Sequence, residues 1–136
     1  MNDIISLYRN YVKYDNLTDD DLQYFLKPSI QLNQSKKHYY NNELVGFTNW
    51  AYLSNEASIK FKTSGTIDCK NWNSGDNLWH VETICTSHLN DIISWTKNYF
   101  AKKFENGKAI NWLRTDNTNI YRTAKRTTKD NWLWVQ

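Results

Sequence analysis

The sequence predicts a single α/β (α+β) domain, with a mixed, mostly antiparallel sheet flanked by helices, and three observations carry that prediction. Apolar residues recur at helical spacing in some stretches and alternate with a period of two in others, and the two patterns interleave along the chain. The 136 residues amount to one domain's length. No repeat, low-complexity tract or linker divides them, so residues 1–136 are expected to form one unit.

The elements follow in order. Asp3 is placed to cap a first helix whose apolar positions Ile4, Ile5, Tyr8, Tyr11 and Val12 would share one face. Thr18 is an N-cap residue, and Asp19, Asp20 and Asp21 suit the positive end of a second helix dipole. That helix buries Leu22, Phe25 and Leu26 and is expected to stop at Pro28, whose ring and missing N–H break helices. The acidic triplet is thus a helix start rather than a metal site. A polar strand over residues 35–40, an Asn41-Asn42 turn and a strand over residues 44–53 predict a hairpin. Ser54 caps a short helix that Gly65 ends.

Ser74-Gly75-Asp76 predicts a turn in which Gly75 takes a positive φ. Residues 78–85 form the strongest strand signal, because a period of two separates Trp79, Val81, Thr83 and Cys85 from Leu78, His80, Glu82 and Ile84. Ser87 is expected to cap a long helix whose inner stripe is Leu89, Ile92, Ile93, Thr96, Tyr99, Phe100 and Phe104, with Asn106-Gly107 ending it. Strands through Ile110, Trp112 and Arg114, and over residues 120–126, flank a turn at Asp116-Asn117, and residues 132–135 suggest an edge strand.

Composition narrows the function classes. Seven Trp, nine Tyr and five Phe predict a core built mainly from aromatics. No stretch reaches the apolar length of a membrane span, and the first residues lack a basic, cleavable leader, so a cytoplasmic protein without membrane contact is expected. Cys69 and Cys85 have no zinc or disulfide spacing and are expected to be small buried residues. The net charge of +3 is unevenly spread: from Lys97 to Lys129, a basic stretch that includes Lys102, Lys103, Arg122 and Arg126 is opposed only by Glu105 and Asp116. An acidic partner is implied, either an acidic protein or, less favoured, a nucleic acid whose bases would stack on Trp and Tyr.

The element order resembles the N-acetyltransferase-like (GNAT) fold. Two segments sharpen the likeness: Asn49-Trp50-Ala51-Tyr52-Leu53-Ser54 and, after a short helix, Trp72-Asn73-Ser74-Gly75-Asp76-Asn77-Leu78-Trp79. Together with Pro28 at matching distance from Trp50, they resemble the toxin-activating lysine acyltransferases over residues 26–82, less clearly into Arg114-Thr115-Asp116. The resemblance implies transfer of a fatty acyl group from acyl carrier protein to a lysine of a protein acceptor, in the cytoplasm, often by a dimer. It implies that function centres on residues 72–82, with Gly75 and Asp76 shaping the site, Trp50 and Trp79 walling an acyl channel, and Arg114 in the substrate region. The family's catalytic aspartate falls at Glu82. Its catalytic histidine falls at Tyr14, and no histidine precedes Pro28.

A base must still take a proton from an amine whose ordinary pKa is near 10.4. His80 and Glu82 lie two apart on one strand, so a regular pleat puts them on one face, with His80 as base and Glu82 as its partner. The turn after that strand, from Thr83 to Leu89, has no glycine to cradle a coenzyme A pyrophosphate. No tightly bound cofactor is implied, and acyl carrier protein is the expected donor, docking on the basic stretch. The competing expectation is a catalytically inactive binding protein on the same scaffold, such as a phage or mobile-element inhibitor, that occupies a protein or nucleic-acid partner.

Overall fold

The computed structural model describes residues 1–115 and 121–127, with side chains through residue 113. Four helices, α1 (Asn2–Tyr8), α2 (Asp19–Gln31), α3 (Asn55–Ser64) and α4 (Leu89–Lys103), accompany five strands, β1 (Ser35–Tyr40), β2 (Glu43–Leu53), β3 (Asn77–Cys85), β4 (Ala109–Thr115) and β5 (Tyr121–Thr127). The strands form one sheet in chain order, antiparallel except for the β3–β4 pair. This is the predicted mixed, mostly antiparallel sheet flanked by helices. The Asp116-Asn117 turn and the edge strand expected at 132–135 lie outside the described residues.

Local chemistry explains most boundaries. The Thr18 hydroxyl accepts from the Asp21 N–H while the Asp21 carboxylate accepts from the Thr18 N–H, a complete capping box. Asn41 and Asn42 take φ values of 49° and 65°, the left-handed pair a two-residue hairpin needs. Ser54 accepts from the Ala57 N–H, and Gly65, at φ 71°, closes α3.

Several expectations change. Pro28 sits inside α2 instead of ending it, and the helix runs on to Gln31 without the N–H bond that proline cannot make to the carbonyl of Tyr24. The first helix stops at Tyr8: the chain turns, Asn10 Nδ2 donates to the Ser6 and Leu7 carbonyls, and a 3₁₀ turn follows at Val12–Tyr14, leaving Val12 exposed. Asp3 lies within α1 and pairs with Lys37 at 3.0 Å. The N-cap of α4 is His88 in a left-handed conformation, with Ser87 bonded to its ring, and Leu89 is exposed rather than part of the inner stripe. Cys69 is exposed and Cys85 half-buried.

Helices α1, α2 and α3 cover one face of the sheet and α4 covers the other. On the first face Ile4, Tyr8, Leu22 and Leu26 pack on Phe47 and Ile84, and Phe61 and Trp72 pack on Ala51, Leu53 and Trp79. Beneath α4, Trp50, Leu78, Ile110 and Trp112 pack with Phe100. The core is less aromatic than predicted: among the described residues aliphatic side chains outnumber aromatic ones in it, although Trp50, Trp72 and Trp79 are among the largest fully buried side chains.

Two irregularities in the sheet position the site. Strands β3 and β4 pair only from Leu78↔Ile110 to His80↔Trp112, although β3 continues to Cys85 and β4 to Thr115, so the two diverge beyond His80. Across β2, Asn49 faces Glu82 while Trp50 faces His80, which leaves Val81 as an extra residue. That bulge interrupts the period of two.

Candidate active site

A cavity of about 580 Å³ opens where β3 and β4 separate. Its sheet wall is His80 to Ile84 together with Trp112 and Leu113, and the 3₁₀ turn and α2 close it through Tyr11, Lys13, Tyr14, Leu17, Leu22 and Phe25. Apolar side chains from the helices thus face a strand that carries the titratable groups. This is the composition of a ligand cavity, and its volume lies within the usual range of roughly 300–1,000 Å³.

Glu82 is the centre of the polar wall. Tyr8 donates its hydroxyl to Oε2 at 3.1 Å, and Tyr14 donates to Oε1. Burial pushes the Glu82 carboxyl above its ordinary range, while the Tyr14 hydrogen bond, the Lys13 charge and the Tyr8 hydrogen bond pull it back. Both phenols are raised, first by burial and then by the Glu82 charge, so they keep their protons and act as donors. The turn after α1 is what delivers Tyr14: Arg9 donates to the Leu17 carbonyl at 2.9 Å and pairs with Asp19, folding the 3₁₀ segment back over β3. Tyr11 completes the clamp, its hydroxyl donating to the Cys85 carbonyl at 2.8 Å and accepting from the Cys85 N–H at 2.9 Å.

The expected pairing of His80 with the Glu82 carboxylate is not formed. With Val81 bulged, His80 and Thr83 fall on the α4 side, where His80 Nε2 and Thr83 Oγ1 are 2.7 Å apart, while the Glu82 carboxylate turns to Tyr8 and Tyr14 on the other. Burial holds the His80 imidazole down to about 4, against a hydrogen bond to the Glu82 backbone that works the other way. His80 is therefore a neutral ring at neutral pH. It still lines the cavity, so both residues reach it from opposite sides of one strand.

The other expected residues are dispersed. Trp50 packs beneath α4 against Tyr99 and Phe100, and Trp79 packs on Phe61 and donates to Ser58 Oγ at 3.1 Å; both belong to the cores and neither lines the cavity. The turn from Ser74 to Asp76 lies at the start of β3, away from the cavity. Its role is structural: the Ser74 and Gly75 N–H groups donate to the Tyr52 carbonyl at 2.7 and 3.1 Å, and the Ser54 N–H donates to Ser74 Oγ. Gly75 is needed for close approach rather than for positive φ, since a Cβ there would sit 2.6 Å from Ser54 Cα. Asp76 is exposed.

The basic residues also spread out. Lys102 and Lys103 end α4, Arg126 stands opposite Ile110, and Arg122 stands opposite Arg114 nearer the diverging strand ends. Four residues of strand, roughly 13 Å, separate the two arginine positions. The side chains of Arg114, Arg122 and Arg126 lie outside the described residues.

Tyr14 stands where the resemblance implies a catalytic histidine and Glu82 where it implies an aspartate, and the fold joins them directly. Tyr8, Thr83 and Thr48 carried no sequence signal; each acquires its partner from a helix break or the bulge. Among the described residues no group of three His, Cys, Asp or Glu side chains is placed to hold a metal ion, and no helix is long and apolar enough to cross a membrane.

No curated protein matches the chain. The family model for HlyC, described as the RTX toxin acyltransferase family, matches residues 1–126, which include both helical walls, the sheet and the cavity between them. With nearly the whole chain matched, this protein belongs to the RTX toxin acyltransferase family of toxin-activating acyltransferases.

Proposed function

We propose that the protein transfers a fatty acyl group from acyl carrier protein to the side-chain amine of a lysine on a protein acceptor, with the cavity at the β3–β4 divergence as the reaction site. The observation that carries this reading is a carboxylate with a raised pKa, Glu82, held by two phenols at the wall of a cavity lined by apolar side chains. Leu17, Leu22 and Phe25 suit an acyl chain, and Glu82 suits an amine.

The reaction converts a thioester and an ammonium ion into an amide and a thiol. The nitrogen loses two protons, the sulfur takes one, and one is released. Glu82 accepts the first proton, freeing the amine to attack the carbonyl carbon, and returns it to the sulfur as the carbon–sulfur bond breaks. A raised pKa favours both halves of that exchange, because it makes the carboxylate a stronger base than an exposed one and brings the acid nearer to the thiol in strength. Tyr14 and Tyr8 orient the carboxylate and do not serve as bases.

An acyl carrier donor is favoured over free coenzyme A by the end of β3. The Cys85 N–H is taken by Tyr11 and the Thr86 N–H by the Val45 carbonyl, so these backbone donors are already used where a pyrophosphate would need them. The reaction would take place in the cytoplasm, where the acyl carrier protein is found.

A second reading, an inactive binding protein on this scaffold, is favoured by one observation: both Glu82 oxygens are already occupied by phenols, and Tyr14 replaces the implied histidine. One experiment separates the two. Acyl carrier protein loaded with a labelled fatty acid is incubated with the protein and a co-produced acceptor, and lysine acylation is read by mass spectrometry. Label on an acceptor lysine supports the enzyme; its absence, with a stable complex recovered, supports the binding protein.

A further inference from the structure

The Val81 bulge does more than separate His80 from Glu82. In an unbroken strand, residues three apart point to opposite faces, and His80 could not touch Thr83. Here they are bonded at 2.7 Å, and the line of contacts continues: Thr83 Oγ1 lies 3.0 Å from Thr48 Oγ1, which lies 2.9 Å from His38 Nε2. Four side chains thus join β3, β2 and β1, crossing the sheet between neighbours about 4.8 Å apart.

The two ends differ in what they reach. His80 and Thr83 line the cavity that holds Glu82. His38 lines a second cavity of about 320 Å³ between β1 and the start of α4, with Lys36, Tyr40, His88, Asp91 and Trp95 around it. The middle is shielded, since Thr48 is fully buried and His38 is only 7 % exposed.

Every member can donate and accept. A hydroxyl does both, and a neutral imidazole donates from one nitrogen and accepts at the other. Burial holds both rings neutral at neutral pH, with His38 pushed down to about 4, to which the Lys36 charge adds. An array of this kind passes a proton by a concerted shift along its bonds. A proton arriving at one ring nitrogen of His80 displaces the proton on Nε2 to Thr83, Thr83 passes its own to Thr48, and Thr48 passes its own to His38 Nε2. The other nitrogen of His38 then releases one toward the second cavity. Each group gains one proton and loses one, and the reverse shift restores it.

We propose that His80, Thr83, Thr48 and His38 form a proton relay that carries the proton released by acyl transfer through the sheet to the cavity between β1 and α4. The relay rests on the reaction proposed above. Glu82 shuttles one proton from nitrogen to sulfur; the second, lost from the nitrogen of the tetrahedral intermediate, enters at His80.

The test is Thr48→Val, which keeps the shape and removes the middle hydroxyl, assayed in the full-length protein with labelled acyl carrier protein and a lysine-bearing acceptor. The expected result is a fall in kcat of roughly 10-fold or more at unchanged KM, a larger solvent deuterium isotope effect, and recovery with Thr48→Ser. Thr83→Val, which cuts the next link, should reproduce all three. ¹⁵N spectra give a readout free of turnover: His38→Gln should alter the ring tautomer of His80 in the otherwise unaltered protein and leave it unchanged alongside Thr48→Val. Wild-type kcat and isotope effect in both valine variants would overturn the relay while leaving the acyltransferase reading intact. No acylation by the unaltered protein would overturn both.

Discussion

The Tyr14 hydroxyl and the Glu82 carboxylate, 68 residues apart in the chain, meet over the cavity where β3 leaves β4. The phenol keeps its proton and donates it in a hydrogen bond to the carboxylate, so the pair is a donor and its acceptor rather than two bases.

Glu82→Gln removes the proton acceptor and keeps the side-chain length. Acyl transfer should fall by roughly 10²–10⁴-fold, the usual contribution of a positioned acid or base. Quantitative mass spectrometry of the acceptor measures it, with circular dichroism to show that the fold persists. Retained turnover would mean that another group takes the proton.

Tyr14→Phe leaves Glu82 in place but withdraws a hydrogen bond to its charged form. Such a bond lowers a carboxyl pKa, so its loss raises the Glu82 pKa further. Because Glu82 acts deprotonated, the acidic limb of the kcat/KM profile should move to higher pH. An unmoved limb would show that the limb reports some other group.

Stability should fall on acidification through the histidines. His38 and His80 are held down to about 4 in the folded chain, against an ordinary value near 6.5. Above 6.5 both states are neutral and the contribution is complete. As pH falls from 6.5 toward 4 the unfolded chain takes up protons that the folded chain refuses, so stability is lost at up to about 1.4 kcal/mol per pH unit for each ring. Glu82, raised in the folded state, changes stability in the opposite sense just above its ordinary value. Urea unfolding of the wild type and His38→Gln across this range isolates one ring: the variant should show the shallower dependence on pH.

Gly75→Ala should destabilise the protein by about 1–3 kcal/mol, as overpacking does. The new methyl would meet the backbone of Ser54 and Leu53 at 2.6–2.8 Å, and neither is a side-chain end that can swing away. Because this turn lies away from the cavity, the KM for the acyl donor should not change in the folded variant. Chemical denaturation and steady-state kinetics check the two halves.

Leu17→Trp puts a larger apolar side chain on the cavity wall. If acyl chains occupy that wall, long chains should lose more kcat/KM than short ones, with discrimination of the order of 10-fold for about 1.4 kcal/mol of differential binding. Competition between two labelled acyl carriers measures the ratio directly.

Much of the fold was legible in the chain because its signals are local. Thr18 with Asp21, Ser54, Gly65 and the Asn41-Asn42 pair each act within a few residues, so the boundaries they set could be read without knowing what packs where. Periodicity likewise places the buried stripe of α2 and the start of β3, and the turn composition points to Gly75, although close approach rather than positive φ is what requires it.

The same strand, residues 77–85, shows where local reading stops. Its composition announced a strand with His80 and Glu82 as the chemical residues, and both do line the cavity. Their partners depended on an extra residue against β2, on the early end of α1 and on the separation of β4, none of which leaves a periodic trace. The sequence by itself therefore determined the order of the elements, most of their boundaries and the likeness to an acyltransferase. Tertiary structure alone decided that Glu82 meets Tyr14 and that His80 meets Thr83, because a one-residue bulge inverts which face each side chain shares, and only packing between distant segments selects the bulge.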